Sequence, residues 1–182
     1  MTYAPPNHLQ QWLDQETQVR RIMLPHGVTP ISDVLPCTGL ELIQGMLEGR
    51  IRSAPFSKLL DFLVVEAREG HVVFQGTPSA EFLNPMGTVH GGWFATLLDS
   101  AMGCAVHTLL PAGRGYTTSG LTVNLVKALT PKVQRVRAIG QVLHSGRQLA
   151  TAEARLVGPD GTLYAHATST CLVFDIPGQS KP

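Results

Sequence analysis

The chain has 182 residues, with 14 Lys and Arg against 13 Asp and Glu for a formal net charge of +1. That balance excludes a nucleic-acid stripe covering the whole domain and a polybasic membrane anchor. Apolar residues make up 43% and charged residues 15%, so the chain is globular, and its apolar stretches fall far short of the roughly 20 residues of a membrane span.

In chain order, residues 1–6 carry neither the basic start nor the apolar run of a secretory signal. Leu9, Trp12, Leu13, Val19 and Ile22 then recur at helical spacing until Pro25 and Gly27 end the pattern. Pro30 and Pro36 mark a connector, and residues 39–49 set Leu40, Ile43 and Leu47 at helical spacing before a closing glycine. This predicts an N-terminal helical extension over 1–58, packed on a main domain at 59–176, with a short tail at 177–182 frayed over its last five residues.

Two β-prone runs, 62–67 and 71–77, meet at Glu69-Gly70 and predict a hairpin. A long helix begins near His90 and stops before Pro111; its apolar face comprises Phe94, Leu97, Leu98, Ala101, Met102, Ala105 and Leu109. Four more strands follow, at 118–127, 133–143, 149–157 and 163–174, joined mainly by tight turns. Tight turns imply antiparallel neighbours, and a sheet with one core helix must cover itself with that helix. The expected class is α+β: an antiparallel sheet of about six strands wrapped around one long central helix.

The stretch before and into that helix carries the chemistry. Gly91-Gly92 at a helix start costs about 1 kcal/mol per glycine relative to alanine, and Ser, Thr, Asp or Asn would cap better. What glycine permits is close approach to the free amides of the first turn, which with the helix dipole can hold a developing oxyanion. Tight packing of the helix end under a loop is the alternative. Asp99 lies off the apolar face, on a stripe with Gly92, Thr96 and Gly103. Small neighbours leave room there for a second helix or a ligand; a solvated surface aspartate is the plainer reading.

From Gly91 to Asp99 is eight helical steps, about 12 Å along the axis. Catalytic contacts need about 3 Å, so one carboxylate cannot serve a carbonyl held at its own helix's start. If both features act on one substrate they come from different chains, which predicts a homodimer with two interfacial sites.

Asn84-Pro85-Met86-Gly87-Thr88-Val89-His90-Gly91-Gly92, followed by Leu97-Leu98-Asp99-Ser100-Ala101, resembles the hotdog-fold acyl-CoA thioesterases of the phenylacetate-pathway (PaaI-like) type. The likeness runs from about Gly39 to Phe174, through Thr117-Thr118 and Gly146-Arg147, and leaves the N-terminal forty residues uncovered. The resemblance implies hydrolysis of an acyl chain on coenzyme A or a related pantetheine carrier, in a tunnel between subunits of a dimer or dimer of dimers. It implies that the Gly91 and Gly92 amides polarise the thioester carbonyl and that the partner chain's Asp99 acts as general base or as nucleophile. Asn84 and His90 would orient thioester and water, and Thr118, or Thr117 beside it, would assist the acid. Trp93, Phe94 and Met102 are candidates for the tunnel lining. A non-catalytic acyl-CoA binding or sensing module is the alternative, and a hydratase or dehydratase on the same fold a second one.

The remaining histidines (His8, His26, His71, His107, His144, His166) lack metal-ligand spacing, so no metal and no cofactor are expected. Seven basic residues between Arg114 and Arg155 face one acid, Glu153. They read as solvated strand edges, or as contacts to the phosphates of coenzyme A with Arg147 foremost, and not as a nucleic-acid surface. Cys37, Cys104 and Cys171 form no disulfide framework, which predicts reduced thiols in a cytoplasmic protein.

Overall fold

The computed structural model describes residues 8–177; the stretch read for a signal and the frayed tail lie outside the described residues. Six strands form one antiparallel sheet: β1 (Phe62–Arg68), β2 (His71–Gly76), β3 (Arg114–Leu125), β4 (Val136–Ser145), β5 (Leu149–Val157) and β6 (Leu163–Asp175). Their spatial order is β1-β2-β4-β5-β6-β3, so the first and third strands are the two free edges. The long helix, α5 (Gly91–His107), crosses from β2 to the far edge and touches all six strands. This is the hotdog arrangement that the pattern of elements predicts.

Burial follows the side-chain periods. Leu97, Leu98, Ala101, Met102, Ala105 and Val106 of α5 are fully buried against the inner rows of the strands, among them Val72, Ala138, Ala152, Ala167 and Cys171. The helix lies directly on β4 because Gly140 lets it: a Cβ there would sit 2.3 Å from the Ala101 carbonyl oxygen. Leu109 does not belong to this face. The helix ends at His107, and Leu109 is 38% exposed while Leu110 turns inward. Trp93 and Met102, expected to line a tunnel, are core residues.

Four helices precede the sheet. Helix α1 (Leu9–Ile22) matches the expected pattern, and α3 (Gly39–Leu47) starts on a Thr38–Glu41 capping box. The connector holds a short helix, α2 (Ile31–Val34), and α4 (Pro55–Leu59) begins on a proline suited to a first turn. Both are too short for periodicity to reveal. β3 begins at Arg114, four residues before the sequence suggests, and β4 begins at Val136 after a 3₁₀ turn at Pro131–Val133. No helix among the described residues is long and apolar enough to cross a membrane.

Helix α1 explains why the hairpin strands are buried on both faces. Phe62, Val64, Val72 and Phe74 point to α5, whereas Leu63, Val65 and Val73 form a second cluster with Val19 of α1. A polar clamp locks this contact. Glu16, 5% exposed, accepts hydrogen bonds from Arg135, from Arg20 at 2.7 Å and from Gln75 at 2.8 Å. Arg137 lies 4.5 Å from the Trp12 ring centroid and donates to Gln75 and Gln15.

Burial pushes the Glu16 carboxyl up, but the hydrogen bonds from Arg135, Arg20 and Gln75 outweigh it and hold it below its ordinary value of 4.5. A carboxylate with a depressed folded pKa adds stability that is complete above the unfolded value and is lost as pH falls through the folded one. Glu16→Ala, which strands partly buried guanidinium groups, is expected to lower unfolding free energy by about 2–3 kcal/mol at neutral pH, with the deficit shrinking in acid. Urea titrations at neutral pH and below about pH 4 check this; a deficit under about 0.5 kcal/mol would show that the clamp does not hold α1.

Candidate active site

The loop ahead of α5 is built by its own side chains. Asn84 Oδ1 accepts from the amides of Met86 (2.9 Å) and Thr88 (3.3 Å), and its Nδ2 donates to Thr88 Oγ1 at 2.9 Å. Gly87, at φ +81°, supplies the left-handed residue that this tight turn needs. Leu83 and Val89 bridge across it, and the His90 amide donates to the Phe82 carbonyl at 2.8 Å. Asn84 thus holds the loop through both ends of its amide.

His90 is the N-cap of α5. Its Nδ1 accepts from the Gly92 amide at 2.9 Å, so the neutral ring carries its proton on Nε2. One of the two expected oxyanion donors is thus occupied within the chain. The Gly91 N–H, first of the helix, has no intrachain acceptor among the described residues. Each glycine has a tight neighbour: a Cβ on Gly91 would meet Leu125 Cδ1 at 2.7 Å, and one on Gly92 the His90 ring at 3.1 Å. Gly91, Asn84, Phe94, Leu125 and Lys127 line a pocket of about 250 Å³ at this end of the helix.

Two turns further along, Asp99 opens on a different cavity of about 600 Å³. Its Oδ1 accepts from Thr118 Oγ1 at 2.9 Å. Thr118 is fixed by register: it pairs with the buried Cys171 and faces α5, and β3 bulges immediately after it. Thr117 lines the same cavity without a hydrogen bond to Asp99. Gly103, on the Asp99 stripe, makes room not for a second helix but for Tyr116 of β3; a Cβ there would lie 2.6 Å from the ring.

Sequence reasoning missed Cys104 and Tyr116 in the cavity wall, because only the strand register brings Tyr116 over α5. Burial pushes the Cys104 thiol up to about 12, the Tyr116 hydroxyl opposing and the Asp99 charge adding to the rise. This cysteine stays protonated at neutral pH and is no thiolate nucleophile. Among the described residues, Asp99 is the one carboxylate in the wall.

The helix-start pocket and the Asp99 cavity share no lining residue. The structure thus brings Asp99 and Thr118 together, groups Asn84, His90, Gly91 and Gly92 separately, and leaves the two groups apart along α5. Arg147 is exposed on the β4–β5 turn, where its carbonyl accepts from Arg114 at 2.6 Å, and it lines neither cavity. Among the described residues, no group of three or more His, Cys, Asp and Glu converges as metal ligands.

A profile of the thioesterase superfamily matches residues 86–165, which span the helix start, Asp99 and most of the sheet. No curated protein matches significantly. Solved structures do. The PaaI protein of the Escherichia coli phenylacetic acid degradation operon is 22% identical, with 80% of this chain and 98% of that one covered at a TM-score of 0.65. A phenylacetic acid degradation-related protein of Ralstonia eutropha JMP134 is 24% identical, covering 72% and 98% at 0.66. The N33D mutant of phenylacetic acid degradation protein PaaI of Thermus thermophilus is 28% identical, covering 65% and 97% at 0.58. The profile and the solved structures together bear out the resemblance read from the motif; the profile supports thioester hydrolysis as the general reaction class, and the solved structures support the fold.

Proposed function

From a hotdog domain whose residues 86–165 match the thioesterase superfamily, we propose that this protein hydrolyses acyl-CoA, or a related pantetheine thioester, to free acid and thiol in the cytoplasm. The observation that supports this best is Asp99, whose carboxylate accepts from Thr118 in the wall of a cavity lined by both apolar side chains and hydroxyls. A carboxylate held in place by a hydroxyl beside space for an acyl group is what a general base needs, and a mere binder has no use for it.

Two copies set side by side with antiparallel α5 helices bring each Asp99 cavity against the other's helix start. Thioester oxygen then meets the Gly91 N–H of one protomer, with the His90 Nε2–H beside it, while the acid comes from the partner. Asp99 takes a proton from water as the water oxygen adds to the carbonyl carbon. The tetrahedral oxyanion collapses, the carbon–sulfur bond breaks, and the thiolate leaves to be protonated. Asn84 shapes the loop that presents the Gly91 amide, and the Gly92 amide fixes the His90 ring. Direct attack by Asp99 through an anhydride satisfies the same geometry.

Free-thiol release from a panel of short, medium, long and aryl acyl-CoA esters tests the reading. Turnover of at least one ester is expected, and binding without turnover would favour the acyl-CoA sensing module. Arg147 is assigned to the phosphates of coenzyme A. Arg147→Ala is expected to raise KM several-fold and spare kcat, as loss of ground-state binding does; an unchanged KM removes that assignment.

A further inference from the structure

The strand order leaves β1 and β3 as free edges, and both reach the Asp99 cavity, β1 through Phe62 and Val64, β3 through Tyr116 and Thr118. A sheet curled around one helix would leave this flank of α5 open between its two edges. Here the segment from α3 to α4 supplies Met46, Ser53, Ala54, Phe56 and Ser57 to the cavity that Asp99, Ser100 and Cys104 of α5 also line.

That segment is pinned at several points. The Gly39 amide donates to the Leu110 carbonyl at 3.0 Å, and a Cβ on Gly39 would lie 1.8 Å from the His107 carbonyl oxygen, so α3 starts directly against the end of α5. The Gly45 carbonyl accepts from the amides of Arg50 and Ile51 at 2.8 and 3.0 Å, and Gly49 at φ +69° turns the chain back. Trp93 Nε1 donates to the Leu60 carbonyl at 2.9 Å just past α4. Between these anchors Ser53 and Ser57 are buried, Met46 is half-buried and Phe56 is 53% exposed. Fixed backbone that carries one flexible thioether and one aromatic ring into the cavity lining is a stop, not a swinging cover.

The wall also has a charge signature. Among the described residues, Asp99 is the only charged side chain lining the cavity. An acyl group ending in a second carboxylate would be desolvated next to it with no cation in this chain's own wall to pair.

We propose that Met46 and Phe56 are specificity-determining residues, setting the length of an uncharged acyl group that the Asp99 cavity admits. This deepens the thioesterase reading and rests on it. The test is kcat/KM across straight-chain esters from acetyl- to palmitoyl-CoA, with glutaryl-CoA added, for the wild type, Met46→Ala, Phe56→Ala and Ala54→Trp. The two truncations are expected to move the optimum to longer chains, raising the ratio of long to short esters about tenfold, and the added indole to move it to shorter ones. Glutaryl-CoA is expected to be a worse substrate than the uncharged ester of equal length in every variant. An unchanged order of chain preference in folded variants would overturn the stop, and efficient glutaryl-CoA turnover would overturn the charge argument. Ala54→Trp adds volume at an exposed position, so it decides the matter even where a truncation fails to fold. A wild type inert towards every ester would instead refute the thioesterase reading, and the stop would fall with it.

Discussion

Asp99→Asn is expected to lower turnover at least a hundredfold, the contribution of a positioned general base. The substitution isolates chemistry from structure. Asparagine keeps a side-chain oxygen for the Thr118 hydroxyl at the position where Asp99 accepts it at 2.9 Å, and it keeps the volume. It removes the negative charge and with it the ability to take a proton. Thermal unfolding and assembly size should therefore match the wild type. Undiminished thiol release by a folded Asp99→Asn variant would take Asp99 out of its role.

Gly91→Pro is expected to lower kcat about 10²- to 10³-fold, the loss found when one oxyanion donor is removed. Gly91 is the first residue of α5, where proline is tolerated because that N–H has no helical partner. His90 before it is already extended, at φ −63° and ψ 136°, as a residue preceding proline must be. A Cβ at this position meets the end of the Leu125 side chain. Gly91→Ala supplies the control, since it adds the same Cβ and keeps the N–H. Equal losses in the two variants would trace the effect to Leu125 and not to the missing donor.

The parts of the molecule that read clearly in the sequence are those with a local signature. The 3.6-residue period marks α5, Glu69-Gly70 marks the hairpin, where Gly70 takes φ +67°, and the glycine pair followed by Asp99 marks the two candidate groups along α5. What did not read clearly depends on contacts between distant segments. Thr117 and Thr118 differ only through the pairing of Thr118 with Cys171 and the bulge that follows. The role of His90 as a cap of Gly92 was hidden because histidine is an unusual N-cap residue. Gly103 was legible as a site of close approach, but that Tyr116 fills it follows from the sheet order alone. Glu16 interrupts the apolar stripe of α1 between Trp12 and Val19, a visible irregularity whose partners Gln75 and Arg135 lie far along the chain.

The separation of Asp99 from the Gly91 amide along one helix makes complementation between inactive chains the most direct measurement. Asp99→Ala and Gly91→Pro chains, co-expressed in equal amounts under different affinity tags, assort at random, so about half of the dimers are mixed. In each mixed dimer one site combines both defects, and the other combines an intact acid with an intact helix start. Activity of about a quarter of the wild type in the unfractionated mixture, and about half in doubly purified mixed dimers, is the expected result. Mixed dimers no more active than the two parents would contradict a site divided between protomers.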